Sequence, residues 1–134
     1  MLVAHGDEGG CYSLYGGERP AFAYDEYGRH HETDAGPLAP GPHPITLSAT
    51  AEEGLRRRCT VTVDGEERAA PGGAHQLIGM APFQGISLGV DRESPVSPPL
   101  YERRRSFRHT GGIRSVTYHP GPPTPTPRRW SPPR

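Results

Sequence analysis

Cys59-Thr60-Val61-Thr62-Val63-Asp64-Gly65-Glu66 carries the clearest strand-and-turn pattern in the chain. Its valines fall at every second position, which puts them on one face of a pleated strand with the threonines on the other. Asp64-Gly65 then supplies the residue pair that best tolerates the left-handed backbone of a two-residue hairpin turn. Strand, tight turn and returning strand predict antiparallel sheet. Just upstream, Ile45-Thr46-Leu47-Ser48-Ala49-Thr50 alternates in the same way and predicts a half-buried strand. The polar residues 52–58 between the two predict a loop or a single helical turn.

Further out the pattern repeats. Cys11-Tyr12-Ser13-Leu14-Tyr15 is rich in aromatic residues and ends in the turn pair Gly16-Gly17. Residues 20–26 place Phe22 and Tyr24 two apart, on one face of a strand. Residues 29–33 pair back after a turn at Gly28. Residues 35–44, AGPLAPGPHP, hold four prolines and predict a loop. Residues 75–78, 86–90 and 113–118 complete the candidate strands. No window carries apolar residues at helical spacing over ten or more positions. Short strands with a turn signal about every 8–12 residues predict an all-β sandwich of antiparallel strands. That domain spans residues 1–119. Residues 120–134 read PGPPTPTPRRWSPPR, in which seven of fifteen are proline, and predict a disordered basic tail.

Composition sets the bounds. The 134 residues permit one domain. Hydrophobic residues make up 32%, and a domain this small buries a limited share of its surface. The predicted fold is therefore marginal. All 15 basic residues are arginine, and the chain has neither lysine nor asparagine, the mark of GC-rich coding. Formal charge sums to zero but is unevenly spread: residues 1–102 carry 7 Arg against 15 acids, and residues 103–134 carry 8 Arg and no acid. Such a tail is solvated or folds back on its own acidic domain, or else binds nucleic acid, a membrane surface or an acidic partner. Cys11 and Cys59 lie 48 apart and form no CxxC pair, so a zinc ribbon or redox motif is excluded. They form one disulfide if their strands lie close together, and otherwise are buried thiols. No apolar run reaches the ~18 residues of a membrane span. No signal peptide is visible, and the cellular location stays open.

Four arrangements invite a chemical reading. Gly85-Ile86-Ser87-Leu88-Gly89 matches GxSxG, and Asp91, His109 and His119 follow in hydrolase order. That motif needs a helix directly behind the serine, and the run through Asp91, Arg92, Glu93 and Ser94 to Pro95 begins none. Ser87 therefore reads as a strand residue. His30-His31-Glu32 with Asp34 contains metal-ligand types, but adjacent histidines on a strand point to opposite faces. Arg103-Arg104-Arg105 with Phe107, Arg108 and His109 contains the groups that hold sulfate or phosphate, and otherwise reads as a solvated loop. Finally, Ser97-Pro98-Pro99-Leu100-Tyr101 approaches the Ser-x-Pro-x-Arg pattern of a formylglycine precursor, with tyrosine where arginine is needed.

Several segments, taken in order, resemble one known family. They are residues 2–7 (LVAHGD), Gly9-Gly10 before Tyr12-Ser13-Leu14-Tyr15, Pro37-Leu38 with Gly41, and Val61-Thr62-Val63-Asp64-Gly65-Glu66. They continue with residues 80–97 (MAPFQGISLGVDRESPVS), Leu100-Tyr101-Glu102-Arg103 and residues 110–118 (TGGIRSVTY). Together they resemble the C-terminal, non-catalytic region of bacterial arylsulfatases, over most of residues 2–122. Gly16 departs from the pattern, which continues the strand through a valine, and so does Cys11. Residues 51–60 form a short, arginine-rich departure.

The resemblance implies a concanavalin-like (jelly-roll) β-sandwich beside a catalytic α/β domain that lies upstream in the intact enzyme. It implies an accessory domain of a sulfuric ester hydrolase, read as a fragment that is inactive alone. The intact family uses calcium and formylglycine. It assigns no catalytic, cofactor-binding or metal-binding residue to this chain, so no cofactor is expected here. The implied partner is a sulfatase catalytic domain, if separately encoded; neither nucleic acid nor membrane is expected, and the oligomeric state is open. The alternative is a lectin-like module that binds sulfated or other anionic glycans.

Overall fold

The computed structural model describes residues 1–7, 10–53, 56–75, 85–91, 95–105 and 108–122. Their architecture is mostly β, with antiparallel pairing throughout and one short helix. The strands are β1 (Val3–Asp7), β2 (Gly10–Tyr15), β3 (Ala21–Glu26), β4 (Arg29–Asp34), β5 (Ile45–Glu52), β6 (Arg56–Val63), β7 (Glu66–Ala69), β8 (Gly73–His75) and β9 (Ile86–Leu88). The helix α1 spans Pro98–Arg104. A five-stranded sheet has the order β4-β3-β2-β1-β9, and a four-stranded sheet runs β5-β6-β7 with β8 also on β6. Within each sheet, strands adjacent in sequence are mostly adjacent in space. The exception in the larger sheet is β9, which returns to pair with β1.

The two sheets pack face to face. Leu14, Phe22 and Tyr24 of the larger sheet meet Cys59, Val61, Val63 and Ala69 of the smaller one. The valines of the opening stretch thus point inward and its threonines outward. The turn between β6 and β7 is the expected hairpin: Asp64 has φ 53° and Gly65 φ 80°, the two left-handed residues a type I′ turn requires. Tyr27 and Gly28 repeat that geometry between β3 and β4, with φ 49° and 84°. There the Gly28 N–H donates to Asp25 Oδ1 at 2.8 Å.

A second, smaller core lies on the opposite face of the larger sheet. Ala4, Tyr15, Ala21 and Ala23 are covered by Val96 and Leu100, with Met1 alongside. β3 is consequently buried on both faces from Ala21 to Asp25, not on the single face that Phe22 and Tyr24 predict. Alanines at 21 and 23 leave room for the covering segment but carry no strong periodic signal.

Other expectations need correction. Residues 52–58 are strand at both ends: β5 reaches Glu52 and β6 begins at Arg56, with Glu53 in a 3-10 turn and residues 54–55 outside the described residues. Composition is overridden there by pairing, because β6 has β5 on one side and β8 on the other. Arg58 also ion-pairs with Glu52, Nη2 to Oε1 at 2.6 Å. Residues 113–118 form no strand. Their large side chains Ile113, Val116 and Tyr118 would fall on both faces of a strand, so none offers a single face to bury. β1 and α1 are additions that periodicity did not predict. Of residues 75–78 only His75 is described, at the end of β8, and β9 is shorter than the expected 86–90. Of the two readings of the cysteines, the buried thiol holds for Cys59, which is free and buried, and burial pushes its pKa up. Most of the expected tail, residues 123–134, lies outside the described residues.

Gly16, the departure noted above, has a packing reason. A Cβ there would sit 3.1 Å from Leu2 Cδ1 and 3.4 Å from His109 Cε1. Glycine lets Leu2 and His109 close over the end of β2.

Candidate functional site

A polar cluster lies under α1 on the outer face of the larger sheet. It grows from strand register. Asp25 pairs with His30, Ala23 with Glu32, Ser13 with Ala23 and Tyr15 with Ala21. Because side chains alternate across a strand, Ser13, Tyr15, Asp25, His30 and Glu32 all share this face. The small alanines between them allow the Tyr15 hydroxyl to donate to Glu32 Oε1 across the sheet. From above, Arg103 Nη2 reaches both oxygens of Glu32, at 3.3 and 3.2 Å. Ser97 Oγ lies 3.3 Å from His30 Nε2.

Electrostatics follow from this packing. Burial and the hydrogen bond to Glu32 push the Tyr15 hydroxyl well above its usual range. Burial also resists ionisation of Glu32, but the hydrogen bonds from Tyr15 and Arg103 and the charge of Arg103 outweigh it. Its carboxyl is held below its ordinary value. Glu32 thus stays an anion that ties α1 to β2 and β4.

Ser97, His30 and Asp25 stand in the order of a serine–histidine–aspartate relay, yet their geometry is that of a clasp. His30 Nδ1 is 3.9 Å from Asp25 Oδ2, beyond hydrogen-bonding distance, and it has no hydrogen-bond partner. Ser97 is 2% exposed. Its Oγ accepts the Leu100 N–H at 3.3 Å and so caps α1, where Pro98 and Pro99 fill the first turn at no cost in donors. A nucleophile must reach its substrate, and this serine faces the sheet. Ser13 Oγ, fully buried nearby, also lacks a hydrogen-bond partner. The cluster as a whole was missed in the sequence. Its signals were the i, i+2 spacing of His30 and Glu32 and the Ser-Pro-Pro start of a helix.

The residues singled out in the sequence are dispersed. Ser87 is the middle residue of β9, opposite Ala4. The described residues 89–91 that follow it are not helical: Gly89 turns the chain at φ 77° and Val90 bridges to Arg108. Asp91 accepts the Val96 N–H at 3.1 Å, the His109 N–H donates to Gly89 O at 2.8 Å, and His119 is exposed. His30 faces the cluster while His31 is exposed on the opposite face, as alternation requires. Among the described residues no three His, Cys, Asp or Glu side chains stand together as metal ligands.

The arginine run is helical only in its first two residues, and Arg105 lies just past the helix end. Arg103 and Arg104 form the last turn of α1, where positive charge suits the carbonyl end of a helix. Arg103 is committed to Glu32, and the Arg105 guanidinium lies 5.9 Å from the centre of the Tyr101 ring. Arg108 is exposed, and Phe107 lies outside the described residues. These groups do not converge on one anion. Comparison of the chain with protein families, with curated proteins and with solved structures finds no match.

Proposed function

We propose that the chain is the accessory C-terminal β-sandwich of an arylsulfatase-type sulfuric ester hydrolase, non-catalytic by itself and built to pack against a separately folded catalytic domain. One observation supports this reading above the others: the sequence segments that carry the resemblance converge in space. Residues 2–7 supply β1, residues 12–15 belong to β2, and residues 85–90 surround β9. These three strands are neighbours in one sheet, although β9 lies about eighty residues from β1. Residues 100–103 belong to α1, which covers the same sheet, and residues 61–66 form the hairpin facing it. The concanavalin-like jelly-roll form belongs to this proposal, and its support is the pair of antiparallel sheets packed face to face.

Formylglycine and calcium supply the chemistry of the intact family, and the residues present do not fit either group. The one serine near the precursor pattern is a buried helix cap with tyrosine in place of arginine, and no cluster of metal ligands stands among the described residues. No catalytic step is therefore assigned to this chain.

Sedimentation velocity with an arylsulfatase catalytic domain lacking its own C-terminal region tests the proposal. A one-to-one complex is expected. Independent sedimentation of the two at micromolar concentrations would contradict it.

A further inference from the structure

Among the described residues, the larger sheet ends in two unlike edges. β4 reads Arg29-His30-His31-Glu32-Thr33-Asp34, polar at every position, which is how an exposed edge is commonly guarded against pairing with another chain. β9 carries no charge. Ile86 and Leu88 are 47% and 51% exposed, and register puts them on the same face as His5 and Val3. Ile113 continues the apolar strip, since its Cδ1 lies 3.9 Å from where a Gly89 Cβ would stand. Val116 and Tyr118 are exposed further along that segment. Five of the seven large apolar side chains exposed among the described residues thus belong to β9 and to residues 113–118. At Tyr118 the segment is pinned to the sheet, its hydroxyl 3.2 Å from that of Tyr12.

Two exposed arginines adjoin this strip, and the nearby Asp91, half-buried, accepts the Val96 N–H. Arg108 pairs through its backbone with Val90, directly after β9, and Arg114 follows Ile113; both are exposed. No acid occurs beyond Glu102. An apolar strip beside exposed guanidinium groups is complementary to a surface with apolar side chains at its centre and carboxylates at its margin.

We infer that the β9 edge with residues 113–118 is the docking surface for such an acidic-rimmed apolar face on the partner catalytic domain. The inference rests on the accessory-domain reading and adds the surface and the chemistry of its occupant. Apolar contact at Ile86 and Leu88 supplies the holding energy. Arg108 and Arg114 set orientation and make association salt-sensitive.

The test is titration calorimetry of the full chain into an arylsulfatase catalytic domain, at low and at high salt. Ile86→Asp and Leu88→Asp should each weaken binding by roughly tenfold or more, the scale of a buried interface contact. The pair Arg108→Glu and Arg114→Glu should weaken it at low salt and lose the salt dependence. His31→Ala on the opposite edge should bind as the unaltered chain does. The altered side chains are exposed, so the melting transition should be retained; Leu88→Thr, which keeps strand propensity, should weaken binding where the aspartate variant unfolds. Unaltered binding by the β9 variants would overturn the docking surface and leave the accessory reading standing. No binding by the unaltered chain would overturn both.

Discussion

His43 shows how single residues lock this fold. It lies at the end of the proline loop, and its Nδ1 is 2.7 Å from Asp64 Oδ2 in the β6–β7 turn. Its Nε2 is 2.8 Å from Ala39 O. With both ring nitrogens facing oxygen acceptors, the doubly protonated ring is favoured. The hydrogen bond to Asp64, then that to Ala39 O, raises the His43 pKa above its ordinary value. The sign of the linkage follows: a raised folded-state pKa adds stability that is fully present below about pH 6.5, the unfolded value. That increment is lost as pH rises through the folded value. Because His43 is near the surface, the effect is modest and screened by salt. Titration of the His43 ring by NMR should give a midpoint above that of a free histidine, and Asp64→Asn should bring it down. A midpoint unmoved by Asp64→Asn would remove this lock from the account.

At the scale of elements, the segment carrying α1 is the most informative. Two kinds of contact hold it: Val96 and Leu100 are buried on the alanines of the sheet, and Ser97 and Arg103 engage His30 and Glu32. Ser97→Ala removes the helix cap and should cost about 1 kcal/mol. Leu100→Ala should cost about 2–5 kcal/mol through lost burial and a cavity. Urea unfolding measures both, and a Ser97→Ala loss equal to that of Leu100→Ala would show that the polar contacts, not the apolar ones, dominate. The same segment marks where sequence reading stopped. The hairpins at Asp64-Gly65 and Gly28 were legible because their backbone demands particular residues. The alternation of Ile45, Leu47, Val61 and Val63 was legible because one face is buried. α1 was not, since seven residues make only two turns, too few for a helical period to show. Nor was the extension of β6 through Arg56, Arg57 and Arg58, because its pairing depends on β8, some fifteen residues downstream. The cluster of Tyr15, Asp25, His30 and Glu32 was illegible for a related reason: it exists only once three strands are in register.

At the scale of the whole molecule, the sandwich divides its work. One face of the larger sheet makes the main core with the smaller sheet, and the other is closed by α1. The β4 edge is guarded by charge and the β9 edge is apolar. In the polar cluster Ser97 is engaged with α1 and His30, and Glu32 with Tyr15 and Arg103. We propose that a molecule so arranged holds a neighbour in place rather than transforming a substrate. Hydrolysis of nitrophenyl sulfate decides the matter, measured for the chain alone, for an arylsulfatase catalytic domain alone and for the two together. No turnover above buffer is expected from the chain alone, and the mixture should outlast the catalytic domain on warming, because a bound partner stabilises the folded state. Turnover by the chain alone that Ser97→Ala or His30→Gln abolishes would contradict the proposal.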